Sequence, residues 1–305
     1  MSLIQVNDLI TIAKMSGTPY LIVEGVDDIP IYDKIKNLNS LDIEIYASKQ
    51  LDGIEPGCKG VERAIDILNA TFTEGLATKY VLGVMDKDVK DFRNEIRSLQ
   101  NLIYTPYYSM ETHLVSNQIV LKIISNFIRS PEALIDRLIV EKFFIFFQEK
   151  SFDLYKISLD ALKNSTQRNY PNIYSYSDSY QELKNKRKLE LLNEINIPLG
   201  EFESSLNLNH SIEALKKICK DKWFLSFFCE ILALYINTEL KNCNCDSERS
   251  PCSMCIIQNN TECLYKIKSD LAVNKDTIRT TLVAMSEHGD FSFLIQRIHE
   301  NLFAA

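Results

Sequence analysis

The chain has 305 residues, 46% of them hydrophobic, with only 9 glycines and 8 prolines; this excludes wholesale disorder and a turn-rich all-β fold, and at roughly 100–200 residues per domain it predicts two domains. A net charge of −7 argues against a broad, non-specific grip on nucleic acid, which needs Lys and Arg against phosphate, but is compatible with a local basic patch. The opening MSLIQVNDLI has no basic segment followed by an apolar core, and the longest apolar run, Trp223 to Ile236, is about 14 residues, short of the ~20 that span a bilayer, so a cytoplasmic protein is expected.

Residues 3–15 place apolar side chains at helical spacing and stop at Gly17, Thr18 and Pro19. The run 20–23 (YLIV) reads as a strand buried on both faces. A helix is expected near 28–38, an alternating strand at 41–46, a loop from Gly53 to Gly60 and a helix over 61–73. A second buried strand follows at 79–85, then a helix near 89–100 and a short strand at 102–105. Strands alternating with helices predict right-handed crossovers and a parallel sheet, whose ligands sit at the carboxyl ends of the strands. Beyond about residue 115 helical periodicity dominates, over 117–129, 131–149, 152–164, 182–195, 211–219, 221–240 and 276–303. The expected fold class is α/β: a parallel-sheet domain over 1–120, then a mostly helical domain over 121–305 with a Cys-rich insertion at 242–263.

The strand 20–23 runs into Glu24-Gly25-Val26-Asp27-Asp28, and the strand 79–85 into Asp86-Lys87-Asp88. If the two strands are neighbours, Glu24, Asp28, Asp86 and Asp88 converge on one rim. Carboxylates about 4 Å apart repel by roughly 4 kcal/mol at an effective dielectric near 20, and a divalent cation would turn that repulsion into binding. Oxygen-only ligands suit Mg²⁺ or Mn²⁺. Gly25 would let the backbone turn and a phosphate approach, and the Asp86-x-Asp88 spacing puts both side chains on one side of an extended segment. Each acidic cluster alone is also explained by helix capping, Asp27 or Asp28 being a ready N-cap.

On these residues the chain resembles TOPRIM domains: LIVEGVDDIPIY is similar to their glutamate motif and LGVMDKDVKDF to their Asp-x-Asp motif, over about residues 18–115. The Glu24-Gly25-x-x-Asp28 spacing resembles the nuclease branch that includes the overcoming-lysogenization-defect nucleases; within that branch the chain is similar in length to the TOPRIM effectors of the PARIS anti-phage system. The resemblance implies a Mg²⁺-dependent nuclease toxin that cleaves RNA, transfer RNA in particular, and is held inactive by an ABC-type ATPase partner; a homodimer is left open. It would make Glu24 a ligand or general base and Asp28, Asp86 and Asp88 ligands. Lys59 could then stabilise phosphate charge, or be a solvated lysine; Glu111 could complete the metal shell, or cap a helix. The alternative is a TOPRIM scaffold or regulatory module of an ATPase complex, without catalysis.

Cys243, Cys245, Cys252, Cys255 and Cys263 form a cluster in a chain with no sign of secretion; four of them suit structural Zn²⁺, against a loop of free thiols, a redox-active Cys-x-x-Cys or an iron–sulfur cluster. Lys163, Arg168, Lys184, Lys186, Arg187 and Lys188, interleaved with Tyr170, Tyr174, Tyr176 and Tyr180, suggest a nucleic-acid patch with rings for unpaired bases, against the plainer reading of a solvated loop. The four histidines are scattered, with His113 of interest only because it follows Glu111 by two residues. No G-x-x-x-x-G-K-[ST] loop occurs, so ATP hydrolysis is not expected of this chain. The helix around Trp223–Tyr235 reads as core, or else as a partner surface.

Overall fold

The computed structural model describes residues 3–194, 196–240, 252–258 and 262–303. Two units emerge: Met1–His113 together with Asp290–Ala305, and Leu114–Gly289. The chain thus crosses between units twice, and its last helix, which the sequence assigns to the helical domain, belongs to the first unit.

In the first unit the order is α1 (Asp8–Ser16), β1 (Tyr20–Val23), α2 (Ile29–Leu38), β2 (Glu44–Ala47), α3 (Cys58–Thr71), α4 (Glu74–Thr78), β3 (Val81–Met85), β4 (Leu102–Tyr104) and α5 (Met110–His113). The four strands form one sheet in the order β2-β1-β3-β4, every pairing parallel. β1 and β3 are its central pair, with Tyr20 opposite Val81 and Ile22 opposite Gly83, so both strands end at the same rim. All four residues of β1 and all five of β3 are buried, as continuous apolar runs between covering helices require.

Two glycines set the approach of α3. A Cβ on Gly83 would lie 2.8 Å from Val61 and 2.9 Å from Ile65, so the helix rides directly on β3. A Cβ on Gly60 would lie 1.7 Å from the Glu55 carbonyl oxygen, so the loop before α3 can fold over its first turn only with glycine there. The buried Val61, Ala64, Ile65 and Leu68 recur at helical spacing and join Leu9, Ile10, Ile22 and Val81 in the core.

The second unit contains α6 (Asn117–Phe127), α7 (Leu138–Lys150), α8 (Phe152–Thr166), α9 (Lys186–Glu194), α10 (Asn196–Ser205), α11 (Ile212–Ile218), α12 (Asp221–Thr238), α13 (Ser253–Gln258) and α14 (Lys275–Ala284). Its core is aromatic: Phe143 and Phe147 of α7 meet Phe228 of α12 at ring-centroid distances of 5.7 and 6.1 Å. Trp223, Phe224, Phe228, Leu232 and Ile236 are buried, so α12 is core rather than a free partner surface. Among the described residues no helix is long and apolar enough to cross a membrane.

Four expected helices change form. Over 89–100 only the turn Asp91–Arg93 is helical, because Asn94 takes a left-handed φ of 57° that ends it. Over 131–149, a turn at Glu132–Leu134 is cut from α7 by the extended Ile135. Over 182–195, a turn at Glu182–Lys184 is cut from α9 by the extended Asn185. Over 276–303, the helix divides into α14 and α15 (Ser292–Leu302), with Gly289 in extended conformation between them.

Candidate metal centre

Glu24 leaves β1 with its backbone fixed from the loop after β2: its carbonyl oxygen accepts from the Gly57 N–H at 3.1 Å and from Ser48 Oγ at 3.0 Å. Its side chain crosses to the end of β3, where Oε1 accepts the Asp86 N–H at 2.6 Å. The two acids therefore share one rim. Asp86 in turn accepts the Met110 N–H at 2.8 Å through Oδ1. Burial holds the Asp86 carboxyl well above the usual carboxylate range, and Glu24, Glu111 and Asp88 push it the same way against the Met110 N–H. Glu111, on the one-turn helix α5, is thereby placed within electrostatic reach of Asp86.

Asp28 precedes α2 but does not cap it; its Oδ2 turns back to accept the Gly25 N–H at 2.9 Å. Burial raises its carboxyl pKa, the Gly25 bond opposes this, and Glu24 and Asp27 add to the rise. Gly25 has no left-handed φ, and a Cβ there would meet Asp28 Oδ2 at an ordinary 3.4 Å, so this turn does not itself demand glycine. Asp88 stands in the left-handed region at φ 49°, its N–H bonded to the Tyr108 carbonyl at 2.7 Å. The segment after β3 is thus not extended as the Asp-x-Asp spacing suggests; a short polar side chain tolerates this backbone, and Asp88 Oδ2 still reaches within 3.9 Å of the Cys58 sulfur. Lys87 pairs with Asp91 at 2.6 Å.

Three participants were not singled out in the sequence, although Tyr32 and Lys90 lie within the two quoted motifs. Cys58, the first residue of α3, donates its thiol to Glu24 Oε1 at 3.1 Å, and burial, then Glu24, push its pKa up. Tyr32 is buried one turn beyond Asp28, its phenol raised well above the usual range by burial, then by Asp86, Asp28, Glu24 and Glu111. Lys90 pairs with Glu62 at 3.1 Å and acts electrostatically on Cys58. Helical spacing from Asp28 could have found Tyr32; no sequence signal separates Lys90 from its neighbours. Lys59 is exposed on the first turn of α3, where its charge bears on Glu55. His113 is a packing residue: Nδ1 lies 3.0 Å from the Asp290 carbonyl, and its ring lies 4.7 Å from Tyr107 and 4.6 Å from Phe293.

The second cluster is in the helical unit. Cys252, Cys255 and Cys263 hold their ligand atoms within 4.8 Å of one another, the one group of three or more such His, Cys, Asp or Glu atoms among the described residues. They can bind a metal ion. The Leu264 N–H points to Cys252 Sγ at 3.5 Å. Residues after Cys263 are tied to the end of α6, Ser130 N–H to the Leu264 carbonyl at 2.7 Å and Arg129 N–H to Lys266 at 3.0 Å. Cys243 and Cys245 lie outside the described residues.

The tyrosines expected to stack on bases are instead used inside the fold. Asp160, fully buried in α8, accepts the Tyr170 hydroxyl at 2.7 Å and the N–H groups of Ile173 and Tyr174 at 2.9 and 2.6 Å. Tyr174 is buried, Tyr176 donates to the Ile218 carbonyl at 2.6 Å and stacks on Trp223, and Tyr180 donates to Glu230 at 2.9 Å. Of the basic residues, Lys184 pairs with Glu230 at 2.6 Å and Lys188 with Asp178 at 3.4 Å, while Lys186 and Arg187 are exposed at the start of α9. The sequence matches no protein-family model and no curated protein.

Proposed function

We propose that the chain is a divalent-cation-dependent nuclease of TOPRIM type, acting on RNA, with Glu24, Asp28, Asp86, Asp88 and Glu111 as its metal-binding set. One observation supports this reading: the acids that follow the two central parallel strands stand at one rim, Glu24 Oε1 accepting the Asp86 N–H at 2.6 Å, although no three of these acids hold ligand atoms within 4.8 Å of one another. The donors are hard oxygens, which suit Mg²⁺ or Mn²⁺. Crowding around Asp86 gives the centre a reason to bind positive charge. One oxygen each of Glu24, Asp86 and Asp28 accepts a backbone N–H, of Asp86, Met110 and Gly25, which orients the carboxylates at the rim and leaves the other oxygen of each for a cation. A bound cation supplies activation of water and neutralisation of phosphate charge. Glu24, the acid most directly between the two strand ends, then serves as ligand or general base. Lys186 and Arg187 offer cations to substrate phosphates.

The RNA target, transfer RNA in particular, and an inhibitory ABC-type ATPase rest on the resemblance of the two acidic motifs. In the helical unit, Cys252, Cys255 and Cys263 would hold structural Zn²⁺. Incubation of the chain, alone and released from candidate ATPase partners, with RNA and DNA plus Mg²⁺ or Mn²⁺ tests the reading, with Glu24→Gln as control. Cleavage of RNA lost in Glu24→Gln supports it. Intact nucleic acid under all conditions, with Glu24→Gln behaving like wild type in cells, refutes the enzyme and leaves the scaffold.

A further inference from the structure

The three clustered cysteines of the helical unit differ in exposure. Cys252 and Cys255 are half-buried, whereas Cys263 is fully buried. Cys255 lies on α13, whose next two residues, Ile256 and Ile257, are 72% and 73% exposed, so solvent reaches that helix. The ligand atoms of all three lie within 4.8 Å of one another, and a small side-chain rotation brings two such sulfurs to the about 2 Å of a disulfide. Cys263 also opens a strap, residues 263–268, laid across the end of α6. The Ser130 and Arg129 N–H groups donate to the Leu264 and Lys266 carbonyls at 2.7 and 3.0 Å, and the Lys268 N–H returns to the Phe127 carbonyl at 2.9 Å. Lys268 Nζ donates to the carbonyls of Ser125 and Asn126 at 3.2 and 2.8 Å, and the Tyr265 hydroxyl accepts the Asp136 N–H at 3.3 Å. The last carbonyls of α6, which no N–H of that helix can serve, are thus capped by the strap. At its start the strap meets the cluster twice, through Cys263 itself and through the Leu264 N–H directed at Cys252 Sγ at 3.5 Å.

We propose that Cys252 and Cys255 are a reversible oxidation site that latches this strap. Reduced, they and Cys263 share a zinc ion, and the strap stays on α6. Oxidised by a peroxide, they close into a disulfide, the metal leaves and the strap loosens. In that step each of the two sulfurs gives up one electron, the S–S bond forms and their two metal–sulfur bonds break. The peroxide O–O bond takes the two electrons and, with two protons from solvent, leaves as two waters; zinc departs as the dication. Cys263, shielded by burial, stays reduced and loses the link that tied it to α13. Reduction of the disulfide by a thiol reverses the step. The inference rests on the structural-zinc reading of this cluster.

The test adds hydrogen peroxide to the full-length chain after its zinc content has been measured. Zinc release is followed with a chromogenic chelator, cysteine pairing by mass spectrometry of unreduced peptides, and the strap by amide hydrogen exchange. Zinc should leave in step with formation of the Cys252–Cys255 disulfide. The amides of Arg129, Ser130 and Lys268 should then exchange at least about tenfold faster, since exchange reports local opening. Dithiothreitol with added zinc should restore both the metal and the protection. Cys255→Ser should form no such disulfide; if that variant fails to fold, the wild-type pairing map still decides. Zinc that is present but retained under peroxide overturns the proposal and leaves the structural-zinc reading standing. Zinc release with Cys263 in the disulfide, or with unchanged exchange at the three amides, does the same. A chain that holds no zinc at the outset overturns both.

Discussion

Replacing Asp86 by Asn should make the cation-free protein more stable at neutral pH and remove part of its pH dependence. In the folded chain burial, followed by Glu24, Glu111 and Asp88, makes Asp86 hold its proton more tightly than an unfolded carboxyl. Between the ordinary value of 3.8 and the raised one, the folded chain keeps a proton that the unfolded chain has released. Stability therefore falls as pH rises through that window, by up to about 1.4 kcal/mol per pH unit for one such proton. Below the ordinary value both states are protonated and the slope vanishes. For a domain of this size the drop corresponds to about 4 °C of melting temperature per unit. Asp28, also raised by burial, adds a slope of the same sign that the substitution leaves in place. Asn retains the oxygen that accepts the Met110 N–H and has no proton to lose. Thermal unfolding by circular dichroism from about pH 4 to about pH 8, without divalent cations, should show the wild-type curve falling below that of Asp86→Asn as pH rises. Taking the difference cancels other titrations, such as that of His210, whose pKa burial lowers. Added Mg²⁺ should lift the wild-type curve most where the carboxylates are charged, and move the variant less. Parallel curves for the two proteins, unaffected by Mg²⁺, would refute the crowding argument.

Gly60→Ala should destabilise the first unit by about 1–3 kcal/mol or more, because its Cβ would lie 1.7 Å from a backbone oxygen that cannot rotate away; a urea midpoint shift worth less than about 0.5 kcal/mol would contradict the packing described. Asp160→Ala strips partners from the Tyr170 hydroxyl and two N–H groups, at about 1–3 kcal/mol each, so an overall loss of at least ~3 kcal/mol is expected in equilibrium unfolding, with faster proteolysis between 167 and 185. Unchanged protease resistance would show that Asp160 does not hold that segment. Elemental analysis of purified chain should find zinc, lost in Cys263→Ser together with thermal stability of the helical unit; zinc-free wild type with normal stability would remove the structural-metal reading.

The sheet was legible because β1 and β3 are apolar runs too short for helices and too continuous for half-exposed strands. The acidic rim followed from the positions of Glu24 and Asp86 directly after them. What escaped were residues brought in by the loops. Cys58 reaches Glu24 across 34 residues of sequence, and its placement depends on the Gly57 backbone and the Gly60 contact, neither of which a periodicity encodes. The tyrosines of 164–181 misled because composition alone does not separate a ring that stacks on a base from one whose hydroxyl anchors a loop. Asp160, thirteen residues before Ile173, resolves the ambiguity only in three dimensions. The break between α14 and α15 was hidden by apolar positions that keep helical spacing on both sides of Gly289.

The return of α15 to the first unit has a consequence for dissecting the chain. His113, where the chain leaves that unit, lies 3.0 Å from the carbonyl of Asp290, where it comes back. Leu294 and Ile298 of α15 are buried, and Arg297 reaches the Gln100 carbonyl at 3.2 Å, so the unit bearing the acidic rim is built from two separate stretches of sequence. A fragment cut after His113 would keep Glu24 and Asp86 but lose the helix that packs into their unit, so the two stretches have to be kept, or rejoined, for that unit to be studied by itself.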